Sequence, residues 1–155
     1  MSVTALRHRR DDSVSRWVCF GLGEQLYGLP IAGVQEVLRP GDIESVPGTA
    51  PVVLGVINLR GNVVTVLDLR LRLGLPSRPL DADSRIVVIE HGGETFGLLV
   101  DRVADVRKIP DAAVKPAPQV GAGASLHSEG VYSRDGEILT LLASRTLITD
   151  ARFLA

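Results

Sequence analysis

A chain of 155 residues, 45% hydrophobic and with a formal charge of −1, is long enough for one domain with a real core, or for two very small lobes sharing one. The near-neutral charge argues against nucleic acid as the main partner, because phosphate binding needs a basic surface. The single cysteine, Cys19, cannot close an internal disulfide, which fits a reducing compartment; within the apolar run Trp17 to Leu22 it reads as a small core residue.

Met1 to Ser15 carries Arg7-His8-Arg9-Arg10 and Asp11-Asp12 without an apolar stretch. It reads as a disordered tail and not as a signal peptide. No run approaches the roughly 20 apolar residues of a membrane helix, so no membrane insertion is expected. Residues 16–150 read as one domain of two pseudo-repeated lobes, followed by a short tail, 151–155.

Within that domain Trp17 to Leu22, Leu26 to Ile31 and Val34 to Leu38 are expected strands. Gly55 to Gly74 then reads as strand, tight turn, strand and short helix. Val56 to Leu59 and Val63 to Leu67 are rich in β-branched residues. Gly61 and Asn62 between them tolerate the positive φ of a hairpin turn. Leu69 to Leu73 fits a short helix or more strand, stopped by Gly74 and Pro76.

Both blocks recur. Tyr27-Gly28-Leu29 and Val34-Gln35-Glu36-Val37 return as Phe96-Gly97-Leu98 and Val103-Ala104-Asp105-Val106, and Trp17 to Phe20 matches Ile86 to Ile89. Gly55-Val56 and Gly61 return as Gly130-Val131 and Gly136, with Asp135 where the first copy has Arg60. The order is therefore A, B, A′, B′, with three strands in each A-type unit and a hairpin plus short helix in each B-type unit. Three plus two strands make a five-stranded closed lobe, and closure hides sheet edges. Sequential wiring and an intertwined wiring, with B and A′ in one lobe and A and B′ in the other, remain equally consistent.

Tests for chemistry give little. His8, His91 and His127 have no Cys or His at metal-ligand spacing, which speaks against a zinc site. There is no nucleophile elbow, and Gly21-Leu22-Gly23 and Gly121-Ala122-Gly123 sit outside any strand–loop–helix unit. Asp68, Asp101 and Asp105 read as solvated rims or backbone-capping acids. Gly28, Gly55, Gly97 and Gly130 read as backbone requirements at turns or bulges. The aromatics are too scattered for nucleic-acid stacking platforms. Abundant aliphatic surface on short strands points to protein contacts, hence to a binding module without cofactors and not to an enzyme.

Gly55-Val56-Ile57-Asn58-Leu59-Arg60-Gly61 followed by Val66-Leu67-Asp68-Leu69 resembles the hallmark of the CheW family of chemotaxis coupling proteins. Val34-Gln35-Glu36-Val37, Phe96-Gly97-Leu98-Leu99-Val100-Asp101, Val103-Ala104-Asp105-Val106 and Pro116-Ala117-Pro118 match later family motifs in order. The resemblance implies an all-β fold of two SH3-like five-stranded barrels. It implies a non-enzymatic cytoplasmic adaptor that joins the cytoplasmic tips of methyl-accepting chemoreceptors to the regulatory domain of a CheA-type histidine kinase in membrane-associated arrays. Val34, Glu36, Asn58 and Arg60 would face the receptor, and strand-end apolar residues would meet the kinase. Two bland readings stand beside this: Arg60 as a solvated turn charge, and Glu36 in a salt bridge within its lobe, Arg60 included. The sequence departs from the family pattern at Ala143, where the second B unit lacks the acid that Asp68 supplies in the first, and in the Gly/Ala-rich loop Gly121 to Glu129. Alternatives are a small-ligand-binding barrel using the Gly121 loop, and a CheW-like adaptor of a chemosensory pathway controlling surface motility or gene expression.

Overall fold

The computed structural model describes residues 13–117 and 127–148. Of the expected tails, residues 1–12 and 151–155 lie outside the described residues, as do Pro118 and the Gly121 loop up to residue 126. The first unit gives β1 (Val14–Leu22), β2 (Gln25–Pro30), a 3-10 turn (Ile31–Gly33) and β3 (Val34–Leu38). β4 (Val53–Leu59), β5 (Asn62–Asp68) and helix α1 (Leu69–Arg72) follow. The repeats are β6 (Arg85–His91), β7 (Glu94–Val100), β8 (Arg102–Pro110), β9 (Ser128–Arg134), β10 (Glu137–Leu142) and helix α2 (Ser144–Ile148). The chain is thus all-β with two short helices. β1 starts at Val14, inside the stretch expected to be tail.

Two five-stranded sheets result, in the orders β8-β1-β2-β10-β9 (lobe 1) and β3-β6-β7-β5-β4 (lobe 2). The wiring is intertwined, and the third strand of each A-type unit crosses to the other lobe. The edges of β2 explain the crossing. One edge carries β1, the other carries β10 in parallel pairing, so β3 finds no place beside β2. It lies on β6 instead, with Val34 opposite Ile89 and Val37 opposite Val87. β8 takes the vacant edge of β1 in the same way, after a crossover of one residue, Asp101.

Interior positions follow the strand alternation. Lobe 2 encloses Ile57, Val64, Val66, Ile86, Val88 and Leu99; lobe 1 encloses Trp17, Cys19, Ile109, Leu139 and Leu141. Burial raises the Cys19 thiol to about 11, in keeping with an inert core residue. A third cluster lies between the lobes. Phe20 and Leu29 of lobe 1 meet Leu67, Leu69, Ile89 and Leu98 of lobe 2, and Leu142 and Leu147 join them. The lobes therefore share a core.

Gly55 and Gly130 sit at bulges with φ of +154°. There the isolated bridges Glu44↔Val56 and Lys115↔Val131 lay a further chain segment against β4 and β9. Gly28 and Gly97 are not turn or bulge positions. They lie inside β2 and β7, where neighbouring side chains (Leu141 over Gly28, Ile86 over Gly97) occupy the space of a Cβ.

Asp68 caps α1. Its carboxylate accepts from the Arg70 N–H at 3.0 Å, the Leu71 N–H at 3.5 Å and the Ser77 hydroxyl at 2.9 Å. α2 begins after Ala143, which has no side-chain acceptor to offer. Asp68→Ala is expected to cost about 1–2 kcal/mol, read as a lower urea midpoint at unchanged slope. Asp101 also accepts from a backbone N–H, that of Gly23 at 2.6 Å, but it is no solvated rim. Its side chain is 11% exposed and pairs with Arg70 at 2.6 Å and Arg78 at 3.0 Å. Asp105 does sit on a rim, beside Arg107 at 3.2 Å.

Candidate functional site

β3 and β4 are the two edges of the lobe 2 sheet, and they face each other across an open seam. The hairpin joining β4 to β5 turns at Arg60 and Gly61, whose φ values are +51° and +87°. Leu59 pairs with Asn62, so the turn falls one residue before the expected Gly61-Asn62. Two consecutive positive φ values are those of a type I′ turn, which matches the strand twist. Arg60 occupies the first of the two positions, and the Asn58 carboxamide oxygen accepts from the Gly61 N–H at 2.9 Å to hold the corner. In lobe 1, Asp135 and Gly136 make the same turn, with φ +52° and +81°.

From this corner Arg60 reaches across the seam to Glu36 on β3. Arg60 Nη1 donates to Glu36 Oε1 at 3.2 Å and Nη2 donates to Oε2, a two-pronged pair joining the edge strands. The hydrogen bonds from Arg60 hold the Glu36 carboxyl below the usual carboxylate range. The pair is the intra-lobe bridge that stood as one reading of Glu36, yet Arg60 keeps 68% of its side chain in solvent.

Of the four site residues inferred from sequence, Glu36, Asn58 and Arg60 share this corner. Val34 does not. It is half-buried against the shared core, on the far side of a β3 bulge. Beside the corner the seam opens into a groove of ≈ 660 Å³, floored by Leu38, Ile57, Leu59 and Ile86 and rimmed by Arg39, Asp42 and Glu44. The rim charges and Val63, 73% exposed, were not singled out from sequence. Val63 alternates with buried Val64 along β5, and that alternation was the available signal.

Lobe 1 repeats the seam with the charges rearranged. A groove of ≈ 560 Å³ runs between β8 and β9, lined by Asp105, Arg107, Lys108, Tyr132, Asp135 and Glu137. Here the turn carries the acid, and the cross-seam pair is Arg107 with Glu137 at 3.4 Å. Neither seam assembles a nucleophile with a base. Among the described residues no group of three metal-ligating side chains converges, and no helix is long and apolar enough to cross a membrane.

Residues 16–152 match the CheW-like domain family. The chain is 30% identical to the chemotaxis protein CheW of Helicobacter pylori, over 85% of this chain and 80% of that one. It is 35% identical to the protein FrzA of Myxococcus xanthus, over 86% and 85% of the two chains. The crystal structure of the scaffolding protein TtCheW from Thermoanaerobacter tengcongensis superposes with a TM-score of 0.82 at 34% identity, covering 88% of this chain and 94% of that one. Fold, seam geometry and these likenesses agree: the chain belongs to the CheW family and is a non-enzymatic adaptor of chemosensory signalling.

Proposed function

We propose that this adaptor couples the cytoplasmic tips of methyl-accepting chemoreceptors to the regulatory domain of a CheA-type histidine kinase, working in the cytoplasm at membrane-associated receptor arrays. The observation that carries the receptor half is the exposed Glu36–Arg60 corner beside an apolar-floored groove. A receptor tip is a helical hairpin. It needs aliphatic floor to rest on and a few charges to fix its register. Glu36, Asn58 and Arg60 supply the polar contacts, and Val34 supports β3 from the core side. The kinase half rests on strand aliphatics left uncovered in both lobes, Val63 and Ile138 near the starts of β5 and β10 and Val106 in the middle of β8, each more than half exposed. FrzA, and PilI of Pseudomonas aeruginosa at 30% identity, resemble the chain as CheW-named proteins do, so an adaptor of a pathway controlling surface motility or gene expression would use the same surfaces.

Arg60→Glu tests the receptor half. It removes the exposed cation and sets two acids against each other at the corner. Affinity for a receptor-tip fragment is expected to fall roughly tenfold or more. Because the pair is solvent-exposed, thermal stability and affinity for the kinase regulatory domain should stay close to wild type. An unchanged receptor affinity by calorimetric titration would sink the assignment.

A further inference from the structure

Helix α1 lies in lobe 2, but two of its side chains serve lobe 1. Arg70 Nε donates to Asp101 Oδ1 at 2.8 Å and its Nη2 to Oδ2 at 2.6 Å. Asp101 is the single residue between β7 of lobe 2 and β8 of lobe 1, and it accepts in turn from Gly23 N–H in the β1–β2 turn of lobe 1. Arg72 leaves the helix in another direction. Its Nε donates to the Leu147 carbonyl at 2.9 Å and its Nη2 to the Thr146 carbonyl at 3.0 Å, which covers the carbonyl end of α2. α1 therefore holds a strand turn of lobe 1 and, separately, the end of α2, the helix that leaves β10 of lobe 1 and packs on β6 of lobe 2.

The shared core holds the lobes together, but apolar burial is non-directional, and a cluster of leucines, valines and phenylalanines tolerates alternative packings of similar energy. A two-pronged arginine–carboxylate pair is directional. Buried ion pairs contribute less to net stability than their geometry suggests, and setting a unique arrangement is the better-attested use of such groups. Two such points, placed apart, define an orientation where a single one would define only a hinge.

We propose that Arg70, Asp101 and Arg72 are positioning residues that select a single orientation of lobe 1 against lobe 2, and so fix the relation between the two seams. None of the three lines either groove, so their effect on any partner is indirect. Any partner that touches both lobes would bind a preformed arrangement without an ordering cost.

The test is a distance distribution between spin labels on the full chain, placed at Glu94→Cys in lobe 2 and Ser133→Cys in lobe 1, both exposed positions. The native Cys19 is fully buried and stays unlabelled. In the otherwise wild-type chain a single narrow distribution is expected. The double variant Arg70→Met, Asp101→Asn removes both charges of the pair together and keeps an acceptor for Gly23. It should retain one cooperative unfolding transition while its distribution broadens or splits. Arg72→Met alone, which removes the second point without stranding a charge, should broaden it as well. Distributions as narrow as wild type in both folded variants would overturn the proposal. So would a narrow one in Arg72→Met if the double variant failed to fold. No partner enters the experiment, so its outcome is separate from that of the receptor–kinase assignment.

Discussion

Gly55→Ala is expected to destabilise the chain by roughly 3 kcal/mol or more, a large part of the 5–15 kcal/mol typical of a domain. Two effects add. The backbone there has φ +154°, which side-chain-bearing residues rarely adopt, and an added Cβ would lie 2.1 Å from the Glu44 carbonyl oxygen. That oxygen is backbone, held by its bond from the Val56 N–H at 2.8 Å, and cannot turn aside. The segment around Glu44 would have to leave β4, carrying the rim of the lobe 2 groove with it. Gly130→Ala should act in the same direction but less strongly. Its added Cβ would meet the Lys115 oxygen at 2.7 Å and a Val114 methyl at 2.5 Å, and the methyl can move. Urea titration reads both, and a Gly55→Ala midpoint equal to wild type would refute the argument.

Asp101→Ala should be comparably severe, about 3–5 kcal/mol, because it strands a buried cation. Arg70 keeps only 16% of its side chain in solvent, and the Gly23 N–H loses its acceptor. Asp101 also sets an acid limit. Its hydrogen bonds from Arg70, above all, hold its carboxyl at about 2 against an ordinary 3.8. A depressed carboxylate contributes stability that is complete above the ordinary value and is lost as pH falls through the folded one. Wild-type stability should therefore drop by about 1–2 kcal/mol between pH 4 and pH 2 on this account. Asp101→Asn, less stable at neutral pH, should lack that part of the decline. A parallel decline in the two proteins would contradict it. His127, kept below its usual 6.5 by burial and by the Arg72 charge, adds an earlier loss as pH falls below that value.

The strands were legible because their signal is local. Val34–Leu38 reads the same in sequence and structure, and the repeat of A and B blocks anticipates two five-stranded lobes. The hairpin corner was legible to within one residue. Gly61-Asn62 is the better turn dipeptide, but the register that pairs Ile57 with Val64 buries Val64 and Val66 together, and this fixes the turn at Arg60-Gly61. The crossing of β3 and β8 was not legible, because it depends on which strand edges remain vacant after long-range pairing. Asp101 reads from sequence as a rim or backbone-capping acid; it does cap the Gly23 N–H, but its pairing with Arg70, 31 residues away, depends on the crossover that brings the two together. At the candidate site the family motif pointed to Glu36, Asn58 and Arg60, which meet. It also pointed to Val34, which faces the core because a bulge turns β3 between it and Glu36.

The proposed role requires one chain to hold two partners at once. Sedimentation velocity on an equimolar mixture of this protein, a receptor-tip fragment and the regulatory domain of a CheA-type kinase from the same cell tests it most directly. A single faster boundary containing all three chains is expected, reduced to the adaptor–kinase pair when Arg60→Glu replaces the wild type. Two separate binary complexes that exclude each other, or no complex with either partner, would contradict it.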